Sequence, residues 1–378
     1  LVLGLFLNIV VCFSSDLGLD THVKMAVDAD GGLPWGDLRP EVAGVSDSSD
    51  AGERTVLPMY SGSEASIKAF ALVVFFALVG YVHRTIGERS AAVLSLSPAF
   101  IFSVGRGYEE VYFALAFALA FGLFTGLWSS NMRLLQNLVG GCMLMLIPYS
   151  KGMTGPSSVL LYGALLGAIG YAWHALQERE SSRFTWMRNP FKASWATAGI
   201  IGTVMLLVGI FDATPTFGVV KDAPLRFLSA IVFSLFDAIG LFVLFGMVLW
   251  PLLKPAVAAL RATDDAQIAT MAAMIAAAMT AIVFYVAALW TYESVLWGAS
   301  WPGIVWTMGN NGRYMTLLFI PFVVLLKQLN LKAGTPTFEV PGHHMRAIGV
   351  TLLLLLPLSL LAGIHGQTMW TDEAADAM

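Results

Sequence analysis

Two pairs of acidic residues stand where an apolar run meets a polar one, the place at which a membrane-borne group and an aqueous reactant can meet. Asp16 and Asp20 follow on the run LVLGLFLNIVVCF, and Glu109 and Glu110 open the apolar stretch of GRGYEEVYFALAFALAFG. A carboxylate at such an interface can act as a general base toward a hydroxyl if it reaches the proton. Each also has a plainer role. Asp20 can N-cap the short amphipathic pattern after it, although Val23 in place of Glu or Gln leaves no capping box. Glu109 and Glu110 complement the dipole of the helix they open. Carboxylate oxygens are the preferred ligands of hard cations, so Asp20 and Glu110 are a candidate pair for a magnesium or manganese ion.

Arg and Lys make charge-assisted bonds to phosphate and stabilise it as it departs. Lys24, Arg39, Arg106, Lys221, Arg226 and Arg313 are the candidates on the side of the chain that carries these acids. A base at a helix end also serves as an interfacial anchor, and two or three of the six are expected to touch substrate. Asp237, in FSLFDAIGLF, falls inside an apolar run, where an acid is a functional candidate or the partner of a polar group on a neighbouring helix. His343 and His344 fall on the opposite side with no further ligands nearby, a poor metal site. The tryptophans of LWGASWPGIVW suit an interfacial belt or a stacking wall for a sugar ring.

The elements that must position these residues are membrane helices. The 378-residue chain is 57% hydrophobic and 12% charged, beyond what a soluble core requires, and reads as a polytopic helical membrane protein forming a single domain over 1–378. A formal net charge of −4 gives no basic surface for nucleic acid. Cys12 and Cys142 both lie in apolar runs, which indicates neither a disulfide framework nor a thiolate metal site. Apolar runs at about 1–13, 66–82, 91–104, 111–128, 134–149, 157–176, 194–211, 227–252, 268–290, 313–329 and 347–366 predict about eleven crossings. The run at 91–104 is the weakest of them. The run at 1–13 is expected to be the end of a first crossing whose start precedes residue 1, with a signal-peptide core as the other reading.

Placing the loop 14–65 outside and alternating from there puts twelve bases and six acids on the inner face, against nine bases and eighteen acids on the outer face, with Asp237 left aside inside a span. That excess of bases inside is the expected sign, so loop 14–65 and the short loop 105–110 are assigned extracytoplasmic. Within the long loop, Val23, Ala26 and Val27 share one side of a predicted surface helix at 20–30. Residues 44–55 are rich in Ser, Gly and Asp and read as a tether.

The order of these pieces resembles the GT-C superfamily, the integral-membrane glycosyltransferases that use polyprenyl-phosphate-linked sugars. The resemblance is carried by Asp20, His22 and Ala26 of a D-x-H-x-x-x-A pattern after the first span, followed by GGLPWGD. It is carried also by SPAFIFSVGRGYEEVYFA at 97–114 and by GNNGRYMTLLFIPFVVLL at 309–326. It implies a catalytic base at Asp20, a supporting acid at Glu109 or Glu110, and phosphate contacts from bases such as Arg106 or Arg313. His22, Lys24, Arg39 and Tyr108 complete the candidate substrate contacts. Asp20-Thr21 stands where members akin to protein O-mannosyltransferases and lipid A aminoarabinose transferases often carry Asp-Glu, and no WWDYG-type segment is present.

The expectation is an inverting transfer of a sugar, for example mannose, from a polyprenyl-phosphate donor to a lipid, glycan or protein hydroxyl. It would take place on the extracytoplasmic face of a prokaryotic plasma membrane, or in the endoplasmic reticulum if the source is eukaryotic. The alternative is an ion- or proton-coupled secondary transporter using Asp237.

Overall fold

A computed structural model of the chain describes residues 1–18, 21, 25, 58–127, 133–150, 160, 162–170, 173, 185–211, 215–245, 250–292, 311–334 and 338. Among them the secondary structure is helical, with no strand. The α-helices are α1 (Val2–Ser14), α2 (Glu64–Thr85), α3 (Glu88–Ser95), α4 (Pro98–Gly105), α5 (Glu110–Phe124) and α6 (Arg133–Ser150). They continue with α7 (Pro190–Phe211), α8 (Pro215–Asp222), α9 (Pro224–Phe245), α10 (Trp250–Ala262), α11 (Ala266–Tyr292) and α12 (Thr316–Ala333). A 3-10 turn at Asn311–Met315 leads into α12.

Five described stretches are long and apolar enough to cross a membrane: Glu64–Thr85, Pro190–Phe211, Pro224–Phe242, Ala266–Thr291 and Arg313–Ala333. Three shorter apolar helices accompany them, at Val2–Ser14, Glu110–Phe124 and Leu135–Ile147. The run expected to cross at 91–104 divides into α3 and α4, eight residues each, which at about 1.5 Å per residue is too short to span. The cause is local. Ser97 is extended before Pro98, whose ring disfavours helical backbone at the preceding residue and suits the first position of a new helix. The run at 347–366, most of the surface helix expected at 20–30, and the histidine and tryptophan segments lie outside the described residues. Of that surface helix only Thr21 and Met25 are described, both helical.

Packing sorts the helices. Arg313–Ala333 has 72% of its apolar window buried, against 11% for α7, so α12 is a central helix and α7 a rim helix. A helix that is apolar all round belongs in the middle. α11 packs against α7, α9 and α12, while α5 packs against α2, α6 and α12. α1 lies on α4 and α2, and the Asn311–Met315 turn touches both α4 and α9, joining the two groups of helices.

The polar residues gather at two ends of this bundle. At one end Lys68 donates to the Ser15 carbonyl at 2.6 Å, and Arg313 faces Glu110. At the other end Lys332 pairs with Asp265, Arg188 lies 3.7 Å from Asp264, Lys327 donates to the Thr85 carbonyl, and Gln267 donates to the Thr125 carbonyl at 3.0 Å. Among the described residues, Arg188, Lys327 and Lys332, expected on one face, lie at the opposite end of the bundle from Arg313 and Glu110, expected on the other.

Asp265 caps α11 by accepting from the Ile268 N–H at 2.9 Å. Burial raises the pKa of its carboxyl, but the hydrogen bonds from Lys332 and from the Ile268 N–H outweigh this and hold it below the usual carboxylate range. A carboxyl depressed in the folded state contributes stability above its unfolded pKa of about 3.9, and that contribution is lost as pH falls through the lower folded value. Asp265→Asn keeps a capping side chain and removes the charge. In thermal unfolding in detergent it is expected to be less stable than wild type by roughly 1 kcal/mol near neutral pH, with the difference shrinking as pH falls below about 4. A difference that persisted unchanged into acid would contradict the charge assignment.

Candidate functional site

The first loop begins by fastening itself to the turn between α4 and α5. Ser15 Oγ donates to the Gly105 carbonyl at 2.8 Å, and the Gly18 N–H donates to the Arg106 carbonyl at 3.0 Å. Thr21 Oγ1 lies 3.0 Å from the Arg106 carbonyl and 3.3 Å from that of Gly107, to which the Tyr60 hydroxyl also donates at 3.0 Å. Buried carbonyls need such partners, and here side chains from two separate segments supply them. The turn itself depends on Gly107, whose φ of +68° lies in the left-handed region. A Cβ there would stand 3.0 Å from Ile67 Cγ2 and 3.2 Å from Leu17 Cδ2.

The same turn carries the charged side chains. Arg106 and Glu109 are each 2% exposed and Glu110 is fully buried, although all three are charged types that are seldom buried without partners. Arg313, 8% exposed, comes from the far part of the sequence on the Asn311–Met315 turn. Its Nε lies 3.5 Å from Glu110 Oε1, its guanidinium carbon sits 4.4 Å from the centre of the Tyr108 ring, and its Nη2 donates to the Tyr314 hydroxyl at 3.1 Å. Arg106 lies over the Phe102 ring at 5.1 Å. Burial lowers the pKa of Arg106, and Arg313 acts in the same direction, while Tyr108 and Asp16 oppose the shift. Chemically the group offers fixed guanidinium donors beside fixed carboxylates, a set suited to a phosphate and to the orientation of a proton acceptor.

Five candidates from the sequence, Arg106, Tyr108, Glu109, Glu110 and Arg313, thus come together. Asp20, His22, Lys24 and Arg39 lie outside the described residues, although Gly18 and Thr21 on either side of Asp20 are bonded to the Arg106–Gly107 turn. Lys221 and Arg226 are exposed on α8 and in the first turn of α9, unlike the buried group. Asp237 is buried on α9, where Ser234, three residues before it, donates to the Val283 carbonyl of α11 at 2.8 Å. Among the described residues no three His, Cys, Asp or Glu side chains gather as ligands for a metal ion.

The sequence reasoning overlooked Lys68. It is buried one turn into α2, paired with Glu64 at 2.5 Å and donating to the Ser15 carbonyl where α1 ends. Its backbone carbonyl accepts from Cys12 Sγ at 3.6 Å, so one residue ties both the end and the flank of α1 to α2. The signal was present: a base inside an apolar run, four residues after an acid, at the start of a helix capped by Ser63.

Gly126 provides a matched control for Gly107, with a φ of +66° and nothing within 4 Å of an added Cβ. Both alanine substitutions incur the left-handed cost of about 1–2 kcal/mol, and only Gly107→Ala adds contacts so tight that Ile67 and Leu17 must give. Thermal unfolding is expected to show Gly107→Ala as the more destabilised; equal losses would mean that the tight seat of the turn is not important. Comparison with protein-family models, with curated proteins and with solved structures finds no match, so the function is argued from this geometry.

Proposed function

We propose that the chain is an integral-membrane glycosyltransferase of inverting type, passing a sugar from a polyprenyl-phosphate donor to a hydroxyl of a lipid, glycan or protein. The donor sugar is a hexose such as mannose, and the site faces the extracytoplasmic side of a plasma membrane or of the endoplasmic reticulum. One observation carries the reading: a first-loop segment flanking an acid, the Glu109–Glu110 start of α5 and the Arg313 turn meet at one end of an apolar helical bundle. Withdrawing two ions from water costs several kcal/mol each before their attraction offsets it, so a buried charged group beside a polar loop is better explained by use than by stability.

In this mechanism the acceptor oxygen attacks the anomeric carbon from the side opposite the phosphate. The bond from that carbon to the phosphate oxygen breaks, and the acceptor proton passes to Asp20 and then to water. The donor is a phosphodiester with one negative charge and leaves as a monoester with nearly two. In this reading Arg313 and Arg106 bond that growing charge, and Glu110, 3.5 Å from Arg313, orients its guanidinium. The apolar surface between helices seats the prenyl chain within the membrane lipid. A magnesium or manganese ion would need Glu110 and Asp20 as ligands, and Glu110 already faces Arg313, so the arginines take the phosphate charge in this account.

A second reading, an ion- or proton-coupled transporter, rests on Asp237, which is buried within the candidate span Pro224–Phe242. Purified protein in vesicles, supplied with labelled polyprenyl-phosphate sugars, separates the two. Asp20→Asn is expected to lower transfer by about 10²–10⁴-fold, and Glu110→Gln to lower it through weaker donor use, with Asp237→Asn close to wild type. Undiminished transfer by Asp20→Asn would remove the proposed base. A proton flux abolished by Asp237→Asn, with no sugar transfer by any variant, would favour the transporter.

A further inference from the structure

Resting on the transferase reading, we propose that Gly18 and Tyr108 are positioning residues for Arg313, forming a stack by which the start of the first loop fixes the guanidinium that receives the donor phosphate. Tyr108 is 1% exposed, its ring packed among neighbouring side chains. Against it lies Gly18: a Cβ at that position would come within 2.2 Å of Tyr108 Cε1, 2.4 Å of Cζ and 2.6 Å of Oη. The Arg313 guanidinium carbon stands 4.4 Å from the ring centre, and the Phe102 ring packs 5.7 Å from it at an angle of 49°. The ring is thus enclosed by backbone, an aromatic neighbour and a cation.

Neither partner can retreat cheaply. The Gly18 N–H is bonded to the Arg106 carbonyl, two residues before Tyr108, so the glycine and the tyrosine are tied to one turn. A methyl group at position 18 must therefore shift the ring, and the shift is passed to Arg313, which also contacts Glu110 and Tyr314. An arginine face held over an aromatic ring is oriented as well as attracted, which is the property a bidentate phosphate contact needs. Gly18 thereby links the segment flanking Asp20 to Arg313, although the two are far apart in sequence.

The test is equilibrium binding of a short-chain prenyl phosphate, with the matching prenyl alcohol as control, to purified protein in detergent. Wild type is expected to prefer the phosphate. Gly18→Ala is expected to weaken phosphate binding about tenfold while leaving the alcohol unchanged, and Tyr108→Leu to do the same. Because both act through one ring, Gly18→Ala added to Tyr108→Leu should cost no more than about twofold further. Additive losses in the double variant, or unchanged phosphate preference in Gly18→Ala, would overturn the stack while leaving the transferase reading intact. A wild type that does not distinguish phosphate from alcohol would overturn both. Should Gly18→Ala fail to fold, Tyr108→Leu decides alone, and retention of its phosphate preference would refute the proposal.

Discussion

A guanidinium and a carboxylate buried at the end of an apolar helical bundle set the terms for the rest of this structure. Arg313 and Glu110 are brought together from a late turn and from the start of α5, and both are withdrawn from solvent. Removing one partner of such a pair typically costs about 3–5 kcal/mol, because the other charge is left in a medium that cannot solvate it. The surrounding elements can be understood as what this arrangement requires. The Tyr108 and Tyr314 rings cover the guanidinium, α12 is buried along most of its length, and the Asn311–Met315 turn bridges α4 and α9 so that Arg313 reaches α5.

The turn from Gly105 to Glu109 is the second constraint, because it presents carbonyls inward and charged side chains beside them. Its carbonyls are satisfied by Ser15, Gly18, Thr21 and Tyr60, so the first loop is attached by the same bonds that complete the turn. Lys68 adds a charged donor at the end of α1. A short hydroxyl side chain at Thr21 fits against two carbonyls, where a carboxylate would repel them.

Much of the helical architecture was legible in the sequence, since runs such as 66–82, 194–211 and 268–290 are apolar over enough residues to admit few other readings. The break at Ser97–Pro98 was legible too, from the proline, but the apolar residues on both sides masked it. At the site, Glu109, Glu110 and Arg106 announced themselves as charges between spans, and Arg313 through its Arg-Tyr helix opening. Lys68 was passed over because it lies within an apolar run, and Gly18 because a glycine's value depends on the ring against it, which comes from 90 residues further along the chain. Tertiary juxtaposition of this kind leaves no periodic trace. Asp20 is chosen from its flanking residues and its sequence pattern, and lies outside the described residues.

The most direct test of the central claim is a double-mutant cycle on the buried pair, using Glu110→Gln, Arg313→Gln and the double variant, with thermal unfolding in detergent as the readout. If the two charges depend on each other as the geometry implies, each single change is strongly destabilising. The double change then recovers much of the loss, with a coupling of about 2 kcal/mol or more. Strictly additive losses would contradict the account, since they would mean that Arg313 and Glu110 are neighbours without being partners.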